Sequence, residues 1–215
     1  MEKNTKLILD EFDLCTNSID ISNRCINGFL DLKNFKKLRH LNCSHNKITE
    51  IVNLPRGLEW LDCSFNLQEQ IIYLPHSLIY VNLESNPIAH FQNITNIKPY
   101  KYPDTLIKLE LGKTFNKPID NLPESLRELV IGKNYNLPIE NLPTGLVSLK
   151  FSEDSIFNQS INFLPESLKI LVLGKNYDMP IDSLPNGLEK LIISRSYDKT
   201  LSCLSVSTEL IKIVY

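Results

Sequence analysis

The chain has 215 residues, 42% of them hydrophobic, and its 23 basic side chains nearly cancel 25 acidic ones. That balance removes the electrostatic ground for nucleic acid or an anionic membrane as main partner, and there is no run of about 18 apolar residues to span a bilayer. Cys15, Cys25, Cys43, Cys63 and Cys203 are an odd set without framework spacing. They point to reduced thiols and a cytoplasmic location, of its own or a host cell, and away from a disulfide-stapled secreted fold.

Residues 1–14 include Leu7, Ile8, Leu9 and Phe12 among polar neighbours, a mixture that predicts a short amino-terminal cap and is compatible with a helix. From residue 15 to 215 the chain repeats itself. A degenerate first unit, Thr16/Ile19/Ile21, is followed by leucines at Leu38, Leu58, Leu78, Leu106, Leu126, Leu146, Leu168, Leu188 and Leu210, in steps of 20, 20, 28, 20, 20, 22, 20 and 22 residues. A period near 20 residues with a Leu-x-x-Leu-x-Leu core is the signature of a leucine-rich repeat, in which each unit supplies one short strand. The expected fold is therefore a leucine-rich-repeat solenoid of about ten coils, with a parallel sheet on the concave face.

Strand alternation predicts the inward side chains as triplets, from Leu38/Leu41/Cys43 and Leu58/Leu61/Cys63 through Leu126/Leu129/Ile131 to a final Leu210/Ile213/Tyr215. Three residues past each triplet lies a polar column: Asn46, Asn66, Asn86, Thr114, Asn134, Asp154, Asn176 and Ser196. A side chain that donates and accepts satisfies backbone groups where the chain leaves the strand. Asn46, Asn66, Asn86, Asn134 and Asn176 are thus read as a structural ladder, and Asn134→Ala is expected to cost about 1–3 kcal/mol. Prolines at Pro55, Pro75, Pro103, Pro123, Pro143, Pro165 and Pro185 stand three residues before the repeat leucines. They fix φ and withhold a donor, so the convex side is expected to be mostly irregular. The 28-residue step places an insertion at about residues 87–101, a segment of the kind that bulges from a solenoid and touches ligands.

The segments Phe115-Asn116-Lys117-Pro118-Ile119, Tyr135-Asn136-Leu137-Pro138-Ile139, Phe157-Asn158-Gln159-Ser160-Ile161 and Tyr177-Asp178-Met179-Pro180-Ile181 each precede a Leu-Pro-x-x-Leu-x-x-Leu unit. They resemble the FNIP repeat, a leucine-rich-repeat variant of social amoebae and of giant DNA viruses that infect amoebae, over about residues 104–201. The resemblance implies an interaction scaffold without catalysis. Residues 38–103 look like a plainer leucine-rich repeat. The short repeats of secreted bacterial effectors, which act on host proteins, also use Leu-Pro-x-x-Leu-x-x-Leu, but they lack the aromatic-Asn-x-Pro-Ile element and rank second.

Candidate chemistry is sparse. Gly112-Lys113-Thr114 resembles the end of a phosphate-binding loop, but Ile107 occupies the place of the required first glycine, and Gly132-Lys133 and Gly174-Lys175 repeat the motif in register. A turn after the strand is the simpler reading. His40, Cys43 and His45 crowd together, yet alternation sends Cys43 inward and His40 outward, so no tetrahedral metal site is expected. No catalytic constellation and no cofactor motif is present, and the expectation is a non-enzyme. Outward strand positions carry more information. His40, Trp60 and Tyr80 fall in one row beside Asp62, Asn82 and Glu84, an aromatic and acidic patch suited to a protein or peptide partner of basic character. A second outward row, Val130, Val172, Ile192 and Val214, is apolar and interrupted by Lys150. The alternative role is structural: end-to-end self-association through an unprotected strand at residues 208–215.

Overall fold

The structure, a computed structural model, describes residues 8–71, 74–87, 90–91 and 102–214, with the backbone alone at 70–71 and 90–91. Among the described residues fourteen strands follow one another: β1 Ser18–Asp20, β2 Asn27–Asp31, β3 His40–Asn42, β4 Lys47–Val52, β5 Trp60–Asp62, β6 Gln70–Ile71, β7 Tyr80–Asn82, β8 His90–Phe91, β9 Lys108–Glu110, β10 Glu128–Ile131, β11 Ser148–Phe151, β12 Ile170–Val172, β13 Lys190–Ser194 and β14 Glu209–Ile213. Ten of them make one parallel sheet in the order β1-β3-β5-β7-β9-β10-β11-β12-β13-β14. The molecule is a leucine-rich-repeat solenoid. Equal period is what sets the register. Leu41 stands beside Leu61, Leu61 beside Val81, Leu129 beside Leu149 and Leu171 beside Leu191, so each inward side chain lies on its counterpart one coil away.

The inward triplets from Leu38 to Ile193 are buried in one continuous core. The last triplet is different from expectation. β14 pairs with β13 so that Leu210 lies beside Leu191 and Lys212 beside Ile193. Leu210 therefore occupies the second inward place, not the first, and the outward neighbour of Ile192 is Ile211, not Val214. The sequence offered Leu-x-x-Ile-x-Tyr as a better apolar match, but backbone pairing is decided by the turn before the strand. β14 is paired on one side only, and Leu210 is 37% exposed. Tyr215 and the first seven residues lie outside the described residues, as does most of the expected 87–101 insertion. Ile8 and Leu9 are helical and buried, and Phe12 packs against the same core.

The proline column closes turns. In every Leu-Pro-x-x-Leu unit the proline carbonyl accepts the N–H of the leucine three residues on, as in Pro55 to Leu58, Pro123 to Leu126 and Pro185 to Leu188, at 3.0 Å in each. Proline cannot donate but can accept, so it sits where only its carbonyl is needed. The back of the amino-terminal coils is less irregular than its composition suggests. There β2 pairs with β4 and β6 with β8 as two small parallel sheets, whereas the coils after residue 102 show turns alone on that side.

The asparagine ladder is real in the early coils and absent at Asn134. Asn46 accepts from the N–H groups of Arg24 and Ile26 and donates to the carbonyls of Ile21, Cys43 and Ser44. Asn66 accepts from Ile48 and donates to Cys43, Cys63 and Ser64, and Asn86 accepts from Gln68 and donates to Cys63, Leu83 and Glu84. The residues just before these asparagines, His45, Phe65 and Ser85, have φ of 54°, 51° and 53°, the left-handed turn that swings the amide inward. Beyond residue 102 no residue has positive φ among those described, and Asn134 makes no side-chain hydrogen bond there. Asn176 keeps one bond, to the Ser155 carbonyl at 2.8 Å. The cost expected of Asn134→Ala does not follow.

Two other columns replace the ladder. Phe115, Tyr135, Phe157, Tyr177 and Tyr197 are buried and stack coil upon coil at centroid spacings of 6.3, 6.3, 6.1 and 6.3 Å. The asparagine after each of the first three aromatics then reaches forward: Asn116 accepts the N–H of Asn136, Asn136 that of Asn158, and Asn158 that of Asp178. Asp178, last in this series, takes the ammonium of Lys199. The aromatic-Asn pair is thus one device, the ring filling the core and the amide binding the next coil. Its signal was in the sequence as the pair Phe115-Asn116 and its three successors, but periodicity alone pointed to the wrong asparagine.

Candidate interaction face

Strands β3, β5 and β7 present their outward side chains as two parallel rows. In the first, Trp60 stacks on Tyr80 with centroids 4.9 Å apart and planes 12° from parallel. His40 stands beside Trp60 in register and is exposed, without a stacking contact to it. The row expected from the sequence is therefore a pair plus a separate imidazole. Tyr80 continues the row on its other side: the Lys108 ammonium lies 5.3 Å from the Tyr80 centroid and 2.9 Å from Glu110, whose carboxylate also accepts from the Tyr80 hydroxyl at 3.3 Å. Burial and the neighbouring Glu110 carboxylate push the Tyr80 phenol well above its ordinary value, so it stays a donor.

The second row is polar and hydrogen-bonded across the coils. Asn42 donates to Asp20 and Asn82 to Asp62, each at 3.3 Å. Ser64 donates its backbone N–H and its hydroxyl to Asp62, at 2.9 and 2.7 Å, which fixes that carboxylate on the sheet surface. Glu84 is partly buried, and burial with the nearby Glu110 raises its carboxyl above the usual range. The row continues into Glu110, whose carboxylate is held by Lys108 of the first row. Along its border His45 stacks on Phe65 at 4.3 Å and 9°, and His45 is close enough to act on Glu84. Two aromatic stacks so flank the acidic strip, and the second was invisible in the sequence because the positive φ that places it is a tertiary fact.

The remaining candidates separate. Cys43 and Cys63 are fully buried and each thiol donates to a carbonyl of the next coil, at 3.5 Å. Burial pushes the Cys63 thiol up to about 12 and the Cys43 thiol well above its ordinary value. His40 does not join them, and among the described residues no three His, Cys, Asp or Glu side chains converge as metal ligands. The Gly-Lys turns have a packing cause. A Cβ on Gly132 would lie 2.3 Å from the Gly112 carbonyl oxygen, and one on Gly112 would lie 3.0 Å from two backbone oxygens of the preceding coil. Glycine is there for coil-to-coil contact. No helix among the described residues is long and apolar enough to cross a membrane. The second outward row holds Val130, Lys150, Val172, Ile192 and Ile211 in register, and none of these is deeply buried.

The stacked aromatics at 115–197 and their linking asparagines occupy the stretches 115–154 and 157–202 that match the FNIP Repeat family. Those two stretches are similar to FNIP repeats. The FNIP stretch thus accounts for the coils that lack the inward asparagine ladder, and the Trp60–Tyr80 face lies outside it. Among the solved structures that resemble the chain are CroV588, a circular leucine-rich-repeat protein of a giant virus, at 21% identity and TM-score 0.37, and YopM from Yersinia enterocolitica WA-314, at 19% identity and TM-score 0.28. The first match covers 86% of this chain and 43% of CroV588, the second 79% and 53%, so the chain spans about half the length of either. No curated protein matches it in sequence.

Proposed function

We propose that the solenoid is a non-catalytic scaffold that binds a protein or peptide segment of basic character on the outer face of β3, β5 and β7. The observation that carries this reading is the partly exposed Trp60–Tyr80 stack beside the Asp62 carboxylate, which Ser64 and Asn82 hold in place, with the Glu84 carboxylate on the next coil. Rigid aromatics lose little entropy on binding, and a carboxylate already held by hydrogen bonds, as Asp62 is, needs no reorganisation to meet a cation. A repeat scaffold of this kind typically acts through protein contacts, which favours a polypeptide partner. Affinity capture from a cell extract tests it, comparing the native chain with the Trp60→Ala/Tyr80→Ala double variant. Loss of the specifically retained proteins is expected; an unchanged set removes this face as the binding surface.

A further inference from the structure

The Trp60–Tyr80 stack has two ends, and they are not alike. On the Tyr80 end the next coil supplies Lys108, whose ammonium lies over the ring and against Glu110. That end is closed by a cation belonging to the chain. On the Trp60 end the corresponding side chains are His40 and then Ser18, the latter too short to cover anything. What remains is a shallow depression lined by Ser18, Asp20, His40, Asn42 and Trp60. At the place that Glu110 takes on the other end stands Asn42, and Asp20 lies one coil beyond it, two coils from Trp60 and one row over from the aromatics.

Asp20 has no ion-pair partner among the described residues. Its oxygens accept the Ser22 N–H at 2.9 Å and the Asn42 amide at 3.3 Å, and these bonds keep it ionised by lowering its proton affinity. Arg24 acts on it only at a distance, because that guanidinium is bonded to Glu11 at 2.6 Å. The depression therefore joins an aromatic face to a fixed carboxylate two coils away, with no cation of the chain between them. A guanidinium suits it best, since its fork of N–H donors can set one edge over the indole face and reach with the other toward a carboxylate two strands away.

We propose that the depression between Trp60 and Asp20 is a subsite for an arginine side chain of a partner polypeptide. This deepens the reading of the face as a basic-segment binder and rests on it. Trp60 is the chain's only tryptophan, so its fluorescence reports the site directly. The probe is acetyl-tetra-arginine amide, titrated at fixed ionic strength, with the neutral isostere acetyl-tetra-citrulline amide as control. A saturable change with the arginine peptide is expected, at least tenfold weaker with citrulline. Asp20→Asn, which keeps an acceptor for the Ser22 N–H, should weaken arginine binding at least fivefold while circular dichroism stays unchanged. No saturable change, equal response to citrulline, or full binding by Asp20→Asn overturns the proposal. Capture lost in the Trp60/Tyr80 double variant but intact in Asp20→Asn would leave the face as a binding surface and remove the arginine subsite. A saturable arginine response with capture unaffected by Trp60→Ala/Tyr80→Ala would do the reverse.

Discussion

Asn66→Ala tests the inward ladder where it is most complete. Asn66 is 4% exposed and its amide makes four hydrogen bonds to backbone groups of two coils. The losses are unequal. The Cys43 carbonyl also accepts from Asn46, the Cys63 carbonyl from Asn86, and the Ser64 carbonyl from the His45 N–H, so each keeps a partner. The Ile48 N–H, at a residue with no exposure, loses its acceptor. One stranded buried donor costs about 1–3 kcal/mol, and three weakened carbonyls add a part of the usual 0.5–1.5 kcal/mol apiece, so a total of about 2–4 kcal/mol is expected. With a urea m-value of about 2–3 kcal/mol/M, the midpoint should fall by about 1 M. Because solenoids can unfold in parts, the Ile48 amide should also lose hydrogen-exchange protection before distant coils do. Asn134→Ala, which removes no hydrogen bond, should stay within about 0.5 kcal/mol of the native chain. If the two variants lose equal stability, or if Asn66→Ala loses none, the ladder argument is wrong.

Three further outcomes follow from the same geometry. Gly132→Ala places a methyl carbon 2.3 Å from the Gly112 carbonyl oxygen, so it should destabilise by about 2–3 kcal/mol in urea unfolding, whereas Gly28→Ala, at φ 79° with open space around it, should cost about 1 kcal/mol. The Tyr135 hydroxyl donates to the Pro138 carbonyl at 3.0 Å, while the buried Tyr177 hydroxyl has no hydrogen-bond partner among the described residues. Tyr135→Phe should therefore lose about 1 kcal/mol and Tyr177→Phe none or less than none, measured by thermal melting. The Cys63 thiol ionises near 9.0 in the unfolded chain and at about 12 when folded. The unfolded state then releases its proton first, so stability should fall as pH rises above about 9, and urea midpoints at pH 8 and pH 10 measure the loss.

Periodicity made the core legible because every coil solves one problem in one way. A 20-residue step carries the chain once round, so a leucine at a given phase must land on the leucine of the coil before it, and the triplets from Leu38 to Ile193 could be assigned from spacing alone. The Trp60–Tyr80 pairing followed from the same rule, since neighbouring outward positions meet across a parallel sheet. Spacing could not choose among polar residues at similar phases. Asn134 and Asn136 are two residues apart, and only the backbone turn decides which amide meets an N–H: inward after a left-handed residue in the early coils, forward to the next coil in the FNIP repeats.

The sequence also contained a correlation that became intelligible only in three dimensions. Gly57, Gly145 and Gly187 each face a basic side chain of the preceding coil, Arg39, Arg127 and Lys169, within 3.3 Å of where a Cβ would lie. Where that place is Ser77, Ser125 or Ser167, the hydroxyl itself donates to the preceding coil's Leu58, Leu106 or Leu146 carbonyl. Hydrophobic burial is non-directional and scales with area, so a one-dimensional pattern determined which face of each strand is buried. Hydrogen bonds and charge contacts demand distance and angle. Those were decided only by the stacked coils, and with them the aromatic spine, the register of β14 and the open end of the Trp60 stack.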